Sequence, residues 1–267
     1  MFEPFHAVVL GAVEGLTEFL PISSTGHLIL TSHWLGLHGE GLKTFEIVIQ
    51  VGAIVAVLGL YRGRARAAVL GLIGRDPAGL QLFVNLLVSF LPAAVLGALL
   101  HDAIKRSLFS TGPVVAALAV GGVAMIALDR PLRARGRGSI EDLTWRDALL
   151  IGTAQCLALW PGTSRAMVTM LAGMGVGLRA PAAAEYSFLL ALPTLAAAAV
   201  FDGFAGGGAL IRHVGGLSIA CGLLTTAAVA ALVMRGFIQY LARHGLAPFG
   251  WYRVALAAIV WSAGVPG

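Results

Sequence analysis

Residues 14–27 read EGLTEFLPISSTGH, and this stretch is the strongest indication of both fold and function in the chain. It lies inside an apolar N-terminal segment, yet it carries two carboxylates, two serines, two threonines and a histidine. An unsatisfied polar group in hydrocarbon costs several kcal/mol, so ionisable residues at membrane depth are candidates for function. We therefore expect the surrounding apolar segments to form a membrane frame for a polar site.

The order of residues within this stretch predicts a broken helix. Glu14 and Glu18 are four residues apart, so they share one face of a helix, where like charges repel unless a cation or a shared proton holds them. Pro21 ends that helix because it lacks an N–H group, and one of the next three hydroxyl residues caps the following helix. Free N–H groups at a helix N-terminus favour an anion. The pattern predicts a site that holds a metal ion and a phosphate together.

The composition is that of a polytopic membrane protein. The 267 residues are 58% hydrophobic and 12% charged, with a mean hydropathy of +0.88, whereas soluble domains are about 25% charged. The net charge of +5 comes from arginines clustered in short loops between apolar runs, which indicates membrane topology rather than nucleic-acid binding. We expect one integral membrane domain over residues 1–267, without a separate soluble domain.

The apolar runs predict an all-α fold with about six transmembrane helices and two re-entrant helix pairs. A transmembrane helix needs about 20 residues, and the pieces at about residues 5–20 and 25–37 are interrupted and short. A second broken pair is expected at about 147–160 and 164–176. The spanning helices are expected at about 44–60, 82–100, 113–128, 181–201, 215–234 and 249–263.

Basic residues orient these helices. Twelve of the eighteen Lys and Arg residues fall on one side of this arrangement, which the positive-inside rule places in the cytoplasm. Both termini and the mouth of the 14–27 stretch then lie on the periplasmic or extracellular face. The twelve residues are Arg62, Arg64, Arg66, Arg75, Arg130, Arg133, Arg135, Arg137, Arg146, Arg179, Arg235 and Arg243.

An internal repeat supports this topology. GAVEGLTEFLPISST, which starts at Gly11, aligns with GTAQCLALWPGTSR, which starts at Gly152. The alignment pairs Glu14 with Gln155. After a one-residue shift it also pairs Pro21 with Pro161 and Ser24 with Ser164. The repeat halves, about residues 1–128 and 147–267, are joined by a basic loop and predicted to be inverted. In such proteins the broken helices of both halves build one site near the midplane.

The second half supplies PGTSRAMVT, residues 161–169, to this site. Arg165 is the one basic residue between Arg146 and Arg179, and an arginine at membrane depth needs an anionic partner. Its planar fork of donors suits a phosphate. The alternative is a salt bridge to Glu14 or Glu18 that only stabilises packing.

Both motifs resemble those of a known family, the undecaprenyl-pyrophosphate phosphatases or bacitracin-resistance proteins. EGLTEFLPISSTGH is similar to the acidic signature of that family, and PGTSRAMVT is similar to its PG-x-SR-S-x-x-T signature. The resemblance extends through TFEIVIQVGAIVAV, DALLIGTAQCLALWPG and EYSFLLALP. One departure is Ala166, which stands where the family usually has serine. The resemblance implies a bacterial inner-membrane enzyme that converts the C55 isoprenoid pyrophosphate to its monophosphate.

The residues suggest how such a reaction proceeds. Glu14 and Glu18 are candidate ligands for Mg²⁺ or Ca²⁺, which take oxygen ligands, or Glu18 is a base that activates a serine or water. Ser24 is the preferred nucleophile, with His27 three residues later as its proton acceptor or as a donor to the leaving phosphate. Attack by His27 itself, or directly by water, remains open. Arg165 is expected to hold the phosphate bidentately.

Other polar residues around the two breaks are expected to bind the substrate. The expected partners are a polyprenyl pyrophosphate lipid and the membrane, with no nucleic acid, and homodimerisation is left open. A transporter or flippase of undecaprenyl phosphate is the alternative function, because broken helices in inverted repeats are also transporter architecture. The expected substrate-binding residues are Ser23, Thr25, Gln155, Gly162, Ser164, Arg165 and Thr169.

Overall fold

A computed structural model describes residues 2–108 and 110–262, apart from the side chains of residues 40, 102–103, 105, 111 and 201–213. Within these ranges the regular structure is helical, and the extended pairing is limited to an isolated bridge between Gly138 and Leu178. The all-α class predicted from the sequence is therefore confirmed.

Eleven α-helices make up the described chain. The 3₁₀ turns Ile140–Asp142 and Cys156–Leu159 flank the seventh helix. The helices are α1 Pro4–Thr17, α2 Ser24–Trp34, α3 Glu40–Leu60, α4 Arg62–Leu72, α5 Pro77–Leu108, α6 Thr111–Arg135, α7 Trp145–Gln155, α8 Arg165–Gly175, α9 Ala180–Val214, α10 Gly216–Leu241 and α11 Ala247–Ser262.

Five helices are long and apolar enough to cross a membrane, which makes this a multi-pass membrane protein. Their apolar parts are Gly41–Leu60, Pro77–His101, Gly112–Arg135, Ala180–Val200 and Gly216–Leu241. The sixth predicted span corresponds to α11, which has 16 residues within the described range.

Several boundaries differ from those predicted. The basic segment after α3 forms helix α4 rather than a loop, and α4 packs closely along α5. A Cβ at Gly79 of α5 would lie 1.9 Å from the carbonyl oxygen of Ala67, so the missing side chain permits this approach. Helix α5 begins at Pro77, a residue suited to the first helical turn, and α9 continues past residue 201 to Val214.

Both predicted broken pairs are present. Helices α1 and α2 have 14 and 11 residues, and α7 and α8 have 11 each, so none of these four spans a membrane alone. Helix α1 ends at Thr17, before Pro21, and the chain turns through residues 18–22 before α2 begins. The second break runs from the 3₁₀ turn to Ser164.

The helices pack as expected for two halves related by a two-fold axis. Helix α1 packs on α10 of the other half, and its counterpart α7 packs on α5. The counterparts α3 and α9 pack on each other, as do α6 and α11. Three long helices separate the two broken pairs, so if each crosses the membrane the second pair enters from the opposite face. The halves interlock, and residues of both surround the centre of the molecule.

The repeat register differs from the predicted one at the breaks. Ser23 and Ser164, with φ of 73° and 72°, are the two non-glycine residues with positive φ in the described ranges. The offset that relates Gly11 to Gly152 also relates Ser23 to Ser164, without a shift. Ser24 therefore corresponds to Arg165, not to Ser164. Pro21 and Pro161, on which the predicted shift was based, do not occupy equivalent positions. A proline needs only a non-helical position in the bend, so its exact place can differ between the two halves.

Candidate active site

Glu18 lies at the centre of a three-residue cluster built from both halves. Its side chain is 8% exposed. The hydroxyl of Ser24 donates to Glu18 Oε2 at 2.5 Å, and Arg165 Nη2 donates to Glu18 Oε1 at 2.9 Å. A carboxylate that accepts two such hydrogen bonds keeps both partners oriented.

The two helix breaks bring these groups together. Ser23 caps α2 by accepting from the Gly26 N–H at 3.4 Å, and Ser164 caps α8 by accepting from the Met167 N–H at 3.3 Å. Positive φ in a non-glycine residue costs about 1–3 kcal/mol, and such strain is often retained at functional sites. The residue after each cap is the first of its helix. The side chains of the first residues of two helices therefore meet on Glu18, and each helix start has free N–H groups.

Arg165 is oriented by hydrogen bonds to other parts of the protein, but one of its donors has no partner. Its Nη1 donates to the Ser187 carbonyl oxygen at 2.9 Å. The Thr169 hydroxyl bonds to the Arg165 carbonyl oxygen at 2.8 Å and to Ser187 Oγ at 2.7 Å. These contacts orient the guanidinium, whereas its Nε is buried and has no hydrogen-bond partner. A donor in this state is available to an anion that enters beside Glu18.

Glu14 is the second acid of the predicted pair. It is fully buried, and neither carboxylate oxygen accepts a hydrogen bond. It interacts electrostatically with Glu18 and Glu46, which repel it, and with Arg165, which attracts it. A buried carboxylate without a hydrogen-bond donor is costly, and either a divalent cation or a proton shared with the neighbouring Glu18 would satisfy it.

The donor set fits a cation that is only partly held by protein. The described residues contain no group of three or more His, Cys, Asp or Glu side chains that could hold a metal. Glu14 and Glu18 can supply two oxygen ligands, and Mg²⁺ ordinarily takes the rest from water and substrate phosphates. The Mg²⁺ or Ca²⁺ therefore stays a prediction, with Glu14 and Glu18 as the residues that would hold it.

His27 faces a partner that sequence reasoning missed. Its Nδ1 lies 2.7 Å from the Ser23 carbonyl oxygen, which can only accept, so Nδ1 carries the proton. In the neutral ring Nε2 then accepts from the Tyr252 hydroxyl at 2.7 Å, and the two rings stack with centroids 5.7 Å apart. The serine hydroxyl bonds to Glu18 rather than to this histidine. Glu18 is thus the better-placed base for Ser24.

The remaining predicted substrate contacts fall into two groups. Thr25 is exposed at the start of α2, where a ligand can reach it. Gln155 is buried and donates to the Ser89 carbonyl oxygen of α5 at 3.3 Å, and Thr169 lies behind Arg165. Gly162 forms the bend with φ of 92°, and a Cβ there would lie 2.6 Å from the Val114 carbonyl oxygen. This second group is bonded or packed within the protein around the site, and its contacts with substrate stay predictions.

Arg253 is a further residue that sequence reasoning missed. It is fully buried in α11, directly after Tyr252, and its guanidinium reaches both helix breaks. The signal was available, because a single arginine inside the apolar run 249–263 is itself unusual.

Comparison with known proteins identifies the family. A family model described as bacitracin resistance protein BacA matches residues 7–259. The chain belongs to this family. The match extends over both helix breaks and most of α11, so the Glu18 cluster lies wholly within the part shared with BacA proteins. The resemblance inferred from the two motifs is confirmed.

Individual relatives of the BacA family cover nearly the whole chain. The undecaprenyl-diphosphatase of Sorangium cellulosum is 54% identical over 260 residues, covering 96% of this chain and 85% of the relative. The undecaprenyl-diphosphatase 2 of Rhodospirillum rubrum is 46% identical over 258 residues, covering 95% and 92%. The undecaprenyl-diphosphatase of Pseudomonas aeruginosa is 43% identical over 256 residues, covering 96% and 92%.

Proposed function

We propose that the chain is an undecaprenyl-diphosphatase, which hydrolyses undecaprenyl pyrophosphate to undecaprenyl phosphate and inorganic phosphate. The BacA family match and the names of its relatives support a phosphatase rather than a carrier of the monophosphate. The observation that carries the proposal is the meeting of Ser24 and Arg165, the first residues of two helices, on the carboxylate of Glu18. A carrier needs no activated hydroxyl.

In the first step Ser24 is the nucleophile. The terminal phosphate enters beside Arg165, whose uncommitted Nε and the first-turn N–H groups of α2 and α8 bind its oxygens. Its negative charge competes with Glu18 for the guanidinium, which frees Glu18 to accept the Ser24 proton. The Oγ–P bond forms, the anhydride P–O bond breaks, and the lipid monophosphate leaves.

In the second step water hydrolyses the phosphoserine. The Nε2 of His27 is the unprotonated ring nitrogen, so it can accept the proton of the attacking water once Tyr252 turns aside. Glu18 returns its proton to Ser24 Oγ as the P–O bond breaks. Inorganic phosphate is released, and His27 passes its proton to solvent. This gives His27 a role even though it does not contact Ser24 directly.

A divalent cation, Mg²⁺ or Ca²⁺, is part of the proposal. Glu14 would hold it together with phosphate oxygens and one oxygen of Glu18, whose other oxygen takes the Ser24 proton. When bound, the cation would neutralise charge that develops on the substrate. The unpartnered carboxylate of Glu14 supports this role.

We further propose that the protein resides in the bacterial plasma membrane with the site open to the outer, periplasmic face. The twelve basic residues on the opposite side support this orientation. An outward site would meet the lipid pyrophosphate where it is released after wall polymers are assembled, and its recycling would confer bacitracin resistance. Homodimerisation stays open, and light scattering of the protein in detergent would test it.

Phosphate release by purified protein in detergent tests the function. We expect release from undecaprenyl pyrophosphate, dependence on a divalent cation, and a phosphoserine in acid-quenched samples. An acid-labile phosphoprotein would indicate attack by His27, and no phosphoprotein at all would indicate direct attack by water. Transport of undecaprenyl phosphate into vesicles without phosphate release would support the carrier instead.

A further inference from the structure

Arg253 is a buried cation without an acidic partner in the described parts of the chain. Its exposure is 0%, yet its hydrogen bonds all end on neutral backbone carbonyl oxygens. A buried charge without an ion-pair partner is costly, so such a residue is a candidate for a functional role. The accepting carbonyls are those of Pro21 at 3.3 Å, Ala117 at 2.9 Å, Leu118 at 3.3 Å, Gly162 at 2.9 Å and Thr163 at 3.0 Å.

These carbonyls belong to three separate elements. Pro21 lies in the first helix break, two residues before the Ser23 cap. Thr163 lies in the second break, directly before the Ser164 cap. Helix α6 supplies the other anchor. The Arg253 guanidinium therefore links both breaks to α6. In each break the accepting carbonyl lies two or three residues before Ser24 or Arg165, the residues that meet on Glu18.

Helix α6 is shaped to admit this guanidinium. A Cβ at Gly121 would lie 2.5 Å from Arg253 Nη2, so only glycine leaves the necessary space. The same α6 surface packs along α11 at Gly122, where a Cβ would lie 2.7 Å from the Gly250 carbonyl oxygen. The close approach of α6 and α11 thus holds the guanidinium against the two breaks.

We propose that Arg253 is a positioning residue for the hydrolysis proposed above, on which this inference rests. It holds the two helix breaks in one register, so that Ser24 and Arg165 meet on the same carboxylate. Because its donors are spread over a planar fork, arginine can bind three elements at once, whereas the single ammonium group of lysine cannot. Arg253 itself does not contact the reacting atoms.

Kinetics of Arg253→Lys and Gly121→Ala test this role, with Arg133→Lys as a control at an exposed position. A displacement of about 1 Å at a reacting group can cost about 10²-fold in rate. We expect kcat of Arg253→Lys to fall by about that factor and that of Gly121→Ala by less. KM should be nearly unchanged, since Arg253 bonds to backbone carbonyl oxygens and not to substrate. Rates are normalised to monodisperse protein.

Hydrogen exchange gives a second measurement that does not depend on activity. In Arg253→Lys the amides of residues 21–25 and 162–166 should exchange faster together, while those of α3 and α9 should be unchanged. Wild-type kcat in the folded lysine variant, or faster exchange in only one break or neither, would overturn the inference. If Arg253→Lys does not fold, Gly121→Ala decides by the same criteria. Absence of phosphate release by the wild type would instead contradict the proposed function, and the exchange measurement would still test Arg253.

Discussion

Replacement of Arg165 by lysine tests the centre of the site. Lysine keeps the charge but presents a single nitrogen. That nitrogen cannot bond at once to Glu18 and to the Ser187 carbonyl oxygen, and also replace Nε as a donor to a phosphate. Hydrogen bonds to charged groups contribute about 1.5–3 kcal/mol each, and two of them are lost. Since about 1.4 kcal/mol is tenfold in rate, we expect kcat/KM to fall by about 10²–10³-fold, allowing for partial compensation by the ammonium group.

The assay is phosphate release from undecaprenyl pyrophosphate by purified variants in detergent, with thermal unfolding followed in parallel. Arg64→Lys is the matched control. Arg64 is 36% exposed and bonds to Glu141 and Glu185 away from the Glu18 cluster, so its replacement should leave the rate within about twofold. An Arg165→Lys variant with wild-type melting temperature and most of its activity would refute the phosphate-binding role and favour a salt bridge that only stabilises packing.

Three further perturbations test other parts of the proposal. Chelation by EDTA should stop phosphate release, and Mg²⁺ or Ca²⁺ should restore it. The Glu14→Gln variant should require more metal for the same rate. A rate that does not change with EDTA would leave Glu14 and Glu18 with proton-transfer or structural roles. Tyr252→Phe keeps the ring that stacks on the histidine but removes the hydroxyl that occupies Nε2, a bond of about 1–1.5 kcal/mol that must break before His27 can act. We therefore expect kcat to rise by up to about tenfold, and a fall in kcat would contradict this role of the tyrosine hydroxyl. In a cysteine-free background, a cysteine at the exposed position His38 should react with an impermeant maleimide in intact cells. A cysteine at the exposed position Arg135 should react only after the cells are permeabilised. The reverse pattern would place the site on the cytoplasmic face.

Much of the fold followed from local chemistry in the sequence. Apolar run lengths predicted the spanning helices, and Pro21 with its neighbouring hydroxyl residues predicted the first break. Helix α4 was missed because its arginines read as a loop, although an amphipathic surface helix has the same composition. The repeat was found, but its register at the caps was wrong because proline positions were used instead of the backbone conformation that Ser23 and Ser164 share.

The sequence by itself determined which residues could form the site, because an acid pair or an arginine in an apolar run needs a partner wherever it lies. It therefore predicted Glu14, Glu18, Ser24 and Arg165 as members of one pocket. Only the tertiary structure decided the pairings: Ser24 bonds to Glu18, and the nearby His27 bonds to Tyr252 instead. The physical reason is that side chains from distant segments meet only through the packing of α6, α8 and α11 around the two breaks, and local residue patterns do not encode those distances.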